Sequence, residues 1–364
     1  MGQPSLDIDL GRIRDNARLI LGLCRDNGIE PTAVVKGFNA LAPVVDVIAR
    51  AGYGTIASSR LPHLRRVRER RLPVRTMALR IPMPSEAAEV VEVCDISLNS
   101  EIDTVGRLDA AAARRGAVHA VVWMRDVGDL REGVFDSDRF VRDAVHIEKT
   151  FRHIHLLGVG TSLTCYGTVR PSVVNLGDLV DSASAVEAAI GRKLEMVSGG
   201  SSSSVPLLVR GKMPKGITNL RLGAVLMYHT LSLAEDELPE LRDAFRVNIE
   251  VIEAAVKPTV PRGELAYDCF GNGKVFEDRG ERRRVILGVG AFDLGDCLKL
   301  RTLDAGARVL GASSDHLIVD VHDSDREYRP GDVMSFLMSY QSILTATANE
   351  FVHKRFHPGS SGGE

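Results

Sequence analysis

The sequence predicts an α/β fold, in which a TIM-type (β/α)8 barrel is followed by a C-terminal all-β domain. Through the first two thirds of the chain, eight short apolar or β-branched runs alternate with helical stretches. Strands that alternate with helices pair in parallel and are covered on both faces, as in a closed barrel. Near Asp243 the pattern changes to strand-like runs separated by Gly, Asp and Pro turns, which predicts the second domain.

The barrel region opens with an amphipathic helix, because apolar residues from Leu10 to Cys24 recur mostly at spacings of three and four. Helical patterns such as Glu101 to Arg115 and Leu176 to Ile190 separate the later strands. The predicted strands of the barrel lie at 32–37, 55–59, 75–80, 95–100, 119–126, 155–161, 195–201 and 219–227. Those of the second domain lie at 244–256, 283–290, 308–313 and 316–322. We therefore expect a barrel at 1–242, a β domain at 243–356 and a polar, flexible tail at 357–364.

Composition and charge restrict the classes of function. A formal net charge of -2 and a pI near 6.6 give no basic surface for nucleic acid or an anionic membrane. The five cysteines are odd in number and form no CxxC pair, so neither a disulfide framework nor a zinc site is predicted. The N-terminus lacks the pattern of a signal peptide, and no apolar run approaches the roughly 18 residues of a membrane span. These features predict a cytoplasmic protein with no metal.

The C-terminal ends of barrel strands are where active sites form in this fold, and Lys36 closes the first predicted strand. A lysine there would lie in a partly desolvated mouth, where its amine becomes nucleophilic. The alternative is a lysine that reaches the rim or pairs with a carboxylate. Small residues after the seventh strand, at 198–204, and on the eighth, at 221–224, are typical of a phosphate site, although a flexible serine linker is the alternative.

Several motifs, in order, resemble the fold-type III pyridoxal-phosphate enzymes of the alanine racemase superfamily, and especially its alanine/ornithine racemase branch. The resemblance covers about residues 6–355. The motifs are Leu6-Asp7-Ile8-Asp9-Leu10, Ala33-Val34-Val35-Lys36, Leu79-Arg80-Ile81-Pro82-Met83, Val127-Gly128-Asp129-Leu130-Arg131-Glu132-Gly133, Leu163-Thr164-Cys165-Tyr166-Gly167 and Gly311-Ala312-Ser313-Ser314-Asp315-His316.

The resemblance implies that Lys36 forms a Schiff base with pyridoxal 5'-phosphate and exchanges the proton at the substrate Cα on one face. Arg221 matches the arginine on the pyridine nitrogen, where a donor that keeps its proton favours proton exchange over transamination. An ordinary ion pair at the rim is the alternative for Arg221, and a surface salt bridge for Arg131, which matches the arginine near the substrate carboxylate. The remaining implied contacts are to the cofactor at Ser162, Ser201, Ser202, Gly223 and Ala224, and to the substrate at Ser314.

Three positions depart from the family pattern. Ala40 replaces a tyrosine on the phosphate side, Ser162 replaces the histidine that stacks on the cofactor ring, and Ala291 replaces the tyrosine that acts as the opposite-face base. Racemisation needs two proton carriers or one mobile base, so the second carrier is unassigned. Asp293 is a candidate, and it is equally interpreted as a turn former or, like Asp129, as a partner of a distal ammonium. Other candidates, each with a structural alternative, are Cys269, His316 and Tyr340.

The resemblance implies an amino-acid racemase that acts on ornithine or another basic amino acid. It also implies a homodimer in which each second domain closes the partner's barrel mouth. One alternative is a pyridoxal-phosphate lyase or decarboxylase, because chemistry on one face needs no opposite base. Another is a non-catalytic pyridoxal-phosphate-binding protein, against which the large second domain argues.

Overall fold

The computed structural model describes residues 4–228 and 238–359. The chain divides into two compact units. Of the described residues, the barrel unit contains 12–36, 40–228 and 238–242, and the β unit contains 4–11, 37–39 and 243–359. The chain begins in the β unit with β1 (Ser5–Asp9) and then enters helix α1 (Leu10–Arg25).

The barrel unit is built on a closed barrel of eight parallel strands, which confirms the predicted fold class. Each strand pairs with the next one along the chain, and the last pairs with the first. The strands are β2 (Thr32–Val34), β3 (Thr55–Ser58), β4 (Arg75–Ala78), β5 (Ile96–Asn99), β6 (His119–Met124), β7 (Ile154–Thr161), β8 (Met196–Ser201) and β9 (Asn219–Leu222). The helices are α2 (Ala42–Ala51), α3 (Leu61–Glu69), α4 (Ala87–Val93), α5 (Ile102–Arg115), α6 (Ser137–Thr150), α7 (Val173–Ile190), α8 (Val205–Val209) and α9 (Ala224–Met227).

The barrel strands are buried along nearly their whole length, as expected for strands with helices on one face and the barrel interior on the other. Close packing of β7 against β8 requires a glycine at 158, because a Cβ there would lie 1.9 Å from the carbonyl oxygen of Met196. The eighth barrel strand ends at Leu222, earlier than predicted, since Ala224–Met227 forms a short helix. Its early end leaves Gly223 and Ala224 in a turn at the barrel mouth.

The β unit contains an eight-stranded sheet whose main path is β12–β15–β10–β11–β14–β13. These strands pair antiparallel with their neighbours. Their bounds are β10 (Phe245–Pro258), β11 (Glu281–Leu287), β12 (Arg301–Thr302), β13 (Arg308–Ala312), β14 (Leu317–Asp320), β15 (Val333–Leu337) and, off this path, β16 (His353–His357). Two helices, α10 (Ala291–Leu294) and α11 (Tyr340–Ala348), accompany the sheet, so this unit is not purely β.

Both ends of the chain differ from the expected domain bounds. Strand β1 pairs antiparallel with β10 and parallel with β16, which places the first residues in the β unit although the sequence assigned residue 1 onward to the barrel. Leu6 and Ile8 are fully buried there, so burial against strands more than 200 residues away decides the assignment. His357 ends β16, so the expected tail is too long by at least this residue. Residues 360–364 of that tail lie outside the described residues.

Among residues 4–228 and 238–359, no helix is both long enough and apolar enough to span a bilayer.

Candidate active site

The barrel brings together the ends of three strands that are far apart in the sequence. Strand β2 pairs with β9, and β9 pairs with β8. Lys36 follows β2, Gly223 follows β9, and Ser202 follows β8, so the predicted lysine and the predicted phosphate site lie at adjacent strand ends. This is the end of the barrel where ligands bind in this fold.

Lys36 is partly buried at the barrel mouth. Burial lowers the pKa of its ammonium, and the positive charges of Arg131 and Arg221 lower it further. Glu132 and Cys165 offset part of that effect by favouring the charged form. Because a lower pKa leaves more of the lysine as free amine, this environment favours Lys36 as a nucleophile and a proton acceptor.

Arg221 lies on β9 and is almost completely buried. It donates to the Oγ of Ser198, to the carbonyl oxygen of Thr161 and to the Oγ of Ser162. Burial lowers the pKa of the guanidinium to about 10, so it still carries its proton at neutral pH. Three hydrogen bonds within the described chain use three of its five N–H groups, which leaves donors for a ligand.

The serine-rich turn is ordered by specific contacts and is not a flexible linker. The pairing of β8 with β9 shifts register between Ser198 and Ser201, and Gly200 takes a φ of +99°, which favours glycine. The backbone N–H of Gly223 donates to the Oγ of Ser202 at 3.2 Å. A Cβ on Gly223 would lie 3.1 Å from the carbonyl oxygen of Val34. The turn therefore brings small residues and hydroxyl groups close to the strand end that carries Lys36.

The residues at this end fit a phosphate-bearing aldehyde. An aldehyde needs an amine with a lowered pKa, which Lys36 supplies. A phosphate needs N–H and O–H donors in a turn of small residues, which Ser201, Ser202 and Gly223 supply. Close by, the buried Oγ1 of Thr161 has no hydrogen-bond partner among the described residues. An orphaned buried hydroxyl at a strand end is a feature expected of a ligand site.

Arg131 and Glu132 form a second polar group at the mouth. The Nε and Nη2 of Arg131 both bond to the carboxylate of Glu132, which also accepts from the Oγ of Ser162 at 2.7 Å. The Arg131 side chain is 40% exposed and that of Glu132 is 14% exposed. Burial raises the pKa of Glu132, but its hydrogen bonds and the positive charges of Arg131 and Arg221 outweigh burial and lower it. The sequence gives no sign of a role for Glu132, because nothing in its local pattern distinguishes it from a surface glutamate.

Two charged residues at and after the end of β6 have structural roles. Asp129, which the sequence suggested as a partner for a distal ammonium, is fully buried and accepts four backbone N–H groups from residues 164–169. Its carboxylate has no room for a substrate, so that suggestion is wrong. Arg125 binds the carbonyl oxygens of Asp126, Val134 and Phe135 and therefore holds the same loop closed.

The β unit carries the other two predicted residues, Asp293 and Ser314. Asp293 lies in α10 and accepts from the backbone N–H of Gly290 and from the side chain of Asn349. Ser314 lies in the turn after β13, where its carbonyl oxygen accepts from the N–H of Phe292 and its Oγ donates to Asp315. The contacts of Asp293 correspond to the turn-forming alternative.

Among residues 4–228 and 238–359, no group of three or more His, Cys, Asp or Glu side chains is arranged to hold a metal ion.

The fold and the site define a TIM-barrel protein with a partly buried lysine beside turns suited to phosphate. Residues 8–230 match the family model described as alanine racemase, N-terminal domain. The chain is 39% identical over 352 residues to ornithine racemase of Acetoanaerobium sticklandii, covering 96% of this chain and 99% of that protein. It is 34% identical to lysine racemase of Thermotoga maritima, covering 98% and 99% of the two chains. The chain therefore belongs to the alanine racemase family.

A solved structure shows the same fold at low sequence identity. Alanine racemase from Clostridium difficile 630 has a TM-score of 0.74 and 16% identity, covering 97% of this chain and 95% of the other. This likeness extends over both units, so the combination of barrel and β unit is shared.

Proposed function

We propose that this protein racemises a basic amino acid, ornithine or lysine, with pyridoxal phosphate bound at Lys36. The observation that carries the proposal is the partly buried amine of Lys36, at a strand end beside the hydrogen-bonded turns of Ser202 and Gly223. The two relatives that match nearly the whole chain are named for racemising ornithine and lysine, which supports the substrate class. Their match also includes the β unit, which argues against a carrier that consists of a barrel alone.

Each residue at the mouth has a proposed task. When bound, pyridoxal phosphate supplies an electron-withdrawing ring that stabilises negative charge at the substrate Cα. Lys36 exchanges the Cα proton at Nζ on one face of the substrate, a task suited to a lysine with a lowered pKa, and the proton on the opposite face is exchanged by a second carrier that is not assigned. Arg221 keeps its proton and acts only as a hydrogen-bond donor toward the ring. Arg131 binds the substrate carboxylate.

The phosphate is assigned to the two neighbouring turns that contain Ser201 and Ser202, after β8, and Gly223 and Ala224, after β9, with Ser162 beside the ring. Backbone N–H groups and hydroxyls bind a phosphate without needing a permanent positive charge. Asp293 takes part in local hydrogen bonds of the β unit, which favours a structural role over that of second proton carrier.

The test combines product analysis with localisation of the cofactor. Single enantiomers of ornithine and lysine are incubated with the protein and pyridoxal phosphate in D₂O. We expect loss of optical purity together with deuterium at Cα. Ammonia, CO₂ or a keto acid as the main product would instead identify a lyase or decarboxylase. Retained optical purity with every amino acid tested would contradict racemisation.

Borohydride reduction followed by peptide mass spectrometry locates the cofactor. We expect pyridoxal phosphate on Lys36 and none after Lys36→Ala. Lys212→Ala is the matched control, because Lys212 is exposed and lies outside the mouth. Equal labelling of the wild type and Lys36→Ala would exclude Lys36 as the attachment site.

A homodimer in the cytoplasm is part of the proposal, as the family resemblance implies. Light scattering of the purified protein tests the dimer, and a mass of about one chain would contradict it.

A further inference from the structure

Three acidic residues lie in the loop just after β6, and they differ in the hydrogen-bond partners of their carboxylates. Asp126 accepts from two backbone N–H groups of its own loop, and Asp129 accepts from four of the facing loop. Within the described part of the chain, Glu132 accepts from side chains alone, those of Arg131 and Ser162. A carboxylate held by backbone groups can be released only if the loop opens. One held by side chains can change partners by rotamer rotation, so Glu132 alone of the three is able to do this with the loop intact.

Glu132 is a negatively charged side chain at a mouth where positively charged side chains surround it. Its carboxylate bonds to Arg131, and Ser162 links it to Arg221. The hydroxyl of Ser162 has a fixed direction, because arginine only donates and an ionised carboxylate only accepts. Lys36 also feels the charges of Arg131, Glu132 and Arg221. The two guanidinium groups of Arg131 and Arg221 at one mouth repel an incoming ammonium, and Glu132 opposes that repulsion.

Resting on the proposed racemisation, we infer that the Arg131–Glu132 ion pair selects substrates with a distal ammonium. A basic amino acid brings a carboxylate for Arg131 and an ammonium for Glu132, so it replaces one internal ion pair with two new ones. An amino acid with a neutral side chain also draws Arg131 away, but it leaves the mostly buried carboxylate of Glu132 without a cation. Leaving a buried charge unpaired is strongly unfavourable, so the pair rejects neutral substrates as well as attracting basic ones.

The test measures binding of two hydroxy acids to the holoenzyme by calorimetry. 5-Amino-2-hydroxypentanoate has the carboxylate and the distal ammonium, and 2-hydroxypentanoate has the carboxylate only. Neither has an α-amine, so the readout is affinity and not turnover. We expect the wild type to prefer the aminated ligand by about 10- to 100-fold, the factor of one charge-assisted hydrogen bond. Equal or undetectable binding of the two ligands by the wild type would overturn the inference.

Variants of Glu132 assign the preference to its charge. Glu132→Gln keeps an acceptor for Ser162 but removes the charge, so the preference should disappear, whereas Glu132→Asp should keep most of it. Glu148→Gln is the matched control. Glu148 forms a similar bidentate ion pair with Arg192, at the end of α6 that lies away from the mouth. A preference that survives Glu132→Gln overturns the inference. Because the preference is a ratio within one protein, a general loss of stability does not imitate the result.

The inference and the proposed function fail in different ways. If the wild type racemises ornithine but binds both hydroxy acids equally, the inference is wrong and the function stands. If the wild type prefers the aminated ligand but racemises no amino acid, the recognition stands and the proposed reaction is wrong.

Discussion

Asp129→Asn should release the loop at residues 163–169 from the barrel mouth. In the native protein, Oδ1 of Asp129 accepts from the N–H groups of Thr164 and Val169, at 3.0 and 3.1 Å. Oδ2 accepts from those of Cys165 and Tyr166, at 3.2 and 3.0 Å. Asparagine keeps one oxygen and turns an amide NH₂ toward the other two donors. Two N–H groups that point at the buried side chain of residue 129 then lose their acceptor.

The expected destabilisation of the closed loop follows from these two N–H groups that lose their acceptor. At about 1–3 kcal/mol each, they destabilise the closed loop by about 2–6 kcal/mol. Thr164 and Thr168 have φ values of 63° and 53°, in the left-handed region, so the loop holds backbone strain that opening relieves. Because the loop can open without unfolding the barrel, the effect should appear as local exposure more than as global unfolding.

Hydrogen exchange followed by mass spectrometry measures this exposure. A change of about 2 kcal/mol corresponds to exchange about 30-fold faster in the peptide covering 163–169. Asp143→Asn is the control, because Asp143 forms an exposed i,i+4 pair with Arg139 whose loss costs little. Unchanged protection of 163–169 in Asp129→Asn would show that the carboxylate does not hold the loop, and the reasoning from its four bonds would be refuted.

The other predictions concern stability. Gly158→Ala should lower the free energy of unfolding by at least about 3 kcal/mol, because its Cβ would meet the Met196 carbonyl. Gly22→Ala should raise the free energy of unfolding by about 0.5–1 kcal/mol, because Gly22 lies on the exposed face of α1 and a Cβ there would have nothing within 4 Å. Urea titrations in which both glycine substitutions changed stability in the same direction would contradict this. Burial lowers the pKa of His119 to about 4, and its Nε2 lies 2.8 Å from the Oγ of Ser97. Since the unfolded chain binds this proton from about pH 6.5 downward, stability should fall between pH 6.5 and 4 by up to ~1.4 kcal/mol per pH unit. His119→Gln should flatten that fall in urea titrations at several pH values, and an unchanged slope would contradict the assignment to His119.

The part of the fold that depends on local pattern was predictable. Strands such as 154–161 and helices such as α5 (Ile102–Arg115) have the periodicity and the flanking residues of their type, so each could be recognised from a short window. Lys36 could be singled out because it closes a predicted barrel strand and strand ends form the mouth, whereas the role of Arg221 followed from the family resemblance. Strand β1 and helix α11 could not be recognised in this way. Leu6 and Ile8 become a strand by pairing with β10 and β16, and a short window contains neither partner.

The sequence by itself determined the eight-strand barrel, the strand ends that form its mouth and the residues placed there by strand order. Only the tertiary structure decided what each charged side chain at the mouth does. Asp129 and Glu132 are three residues apart in one loop, yet one is saturated by backbone N–H groups of residues 164–169 and the other is paired with side chains. The physical reason is that the partners of a carboxylate come from another strand end, and the closure of the barrel determines which groups meet it.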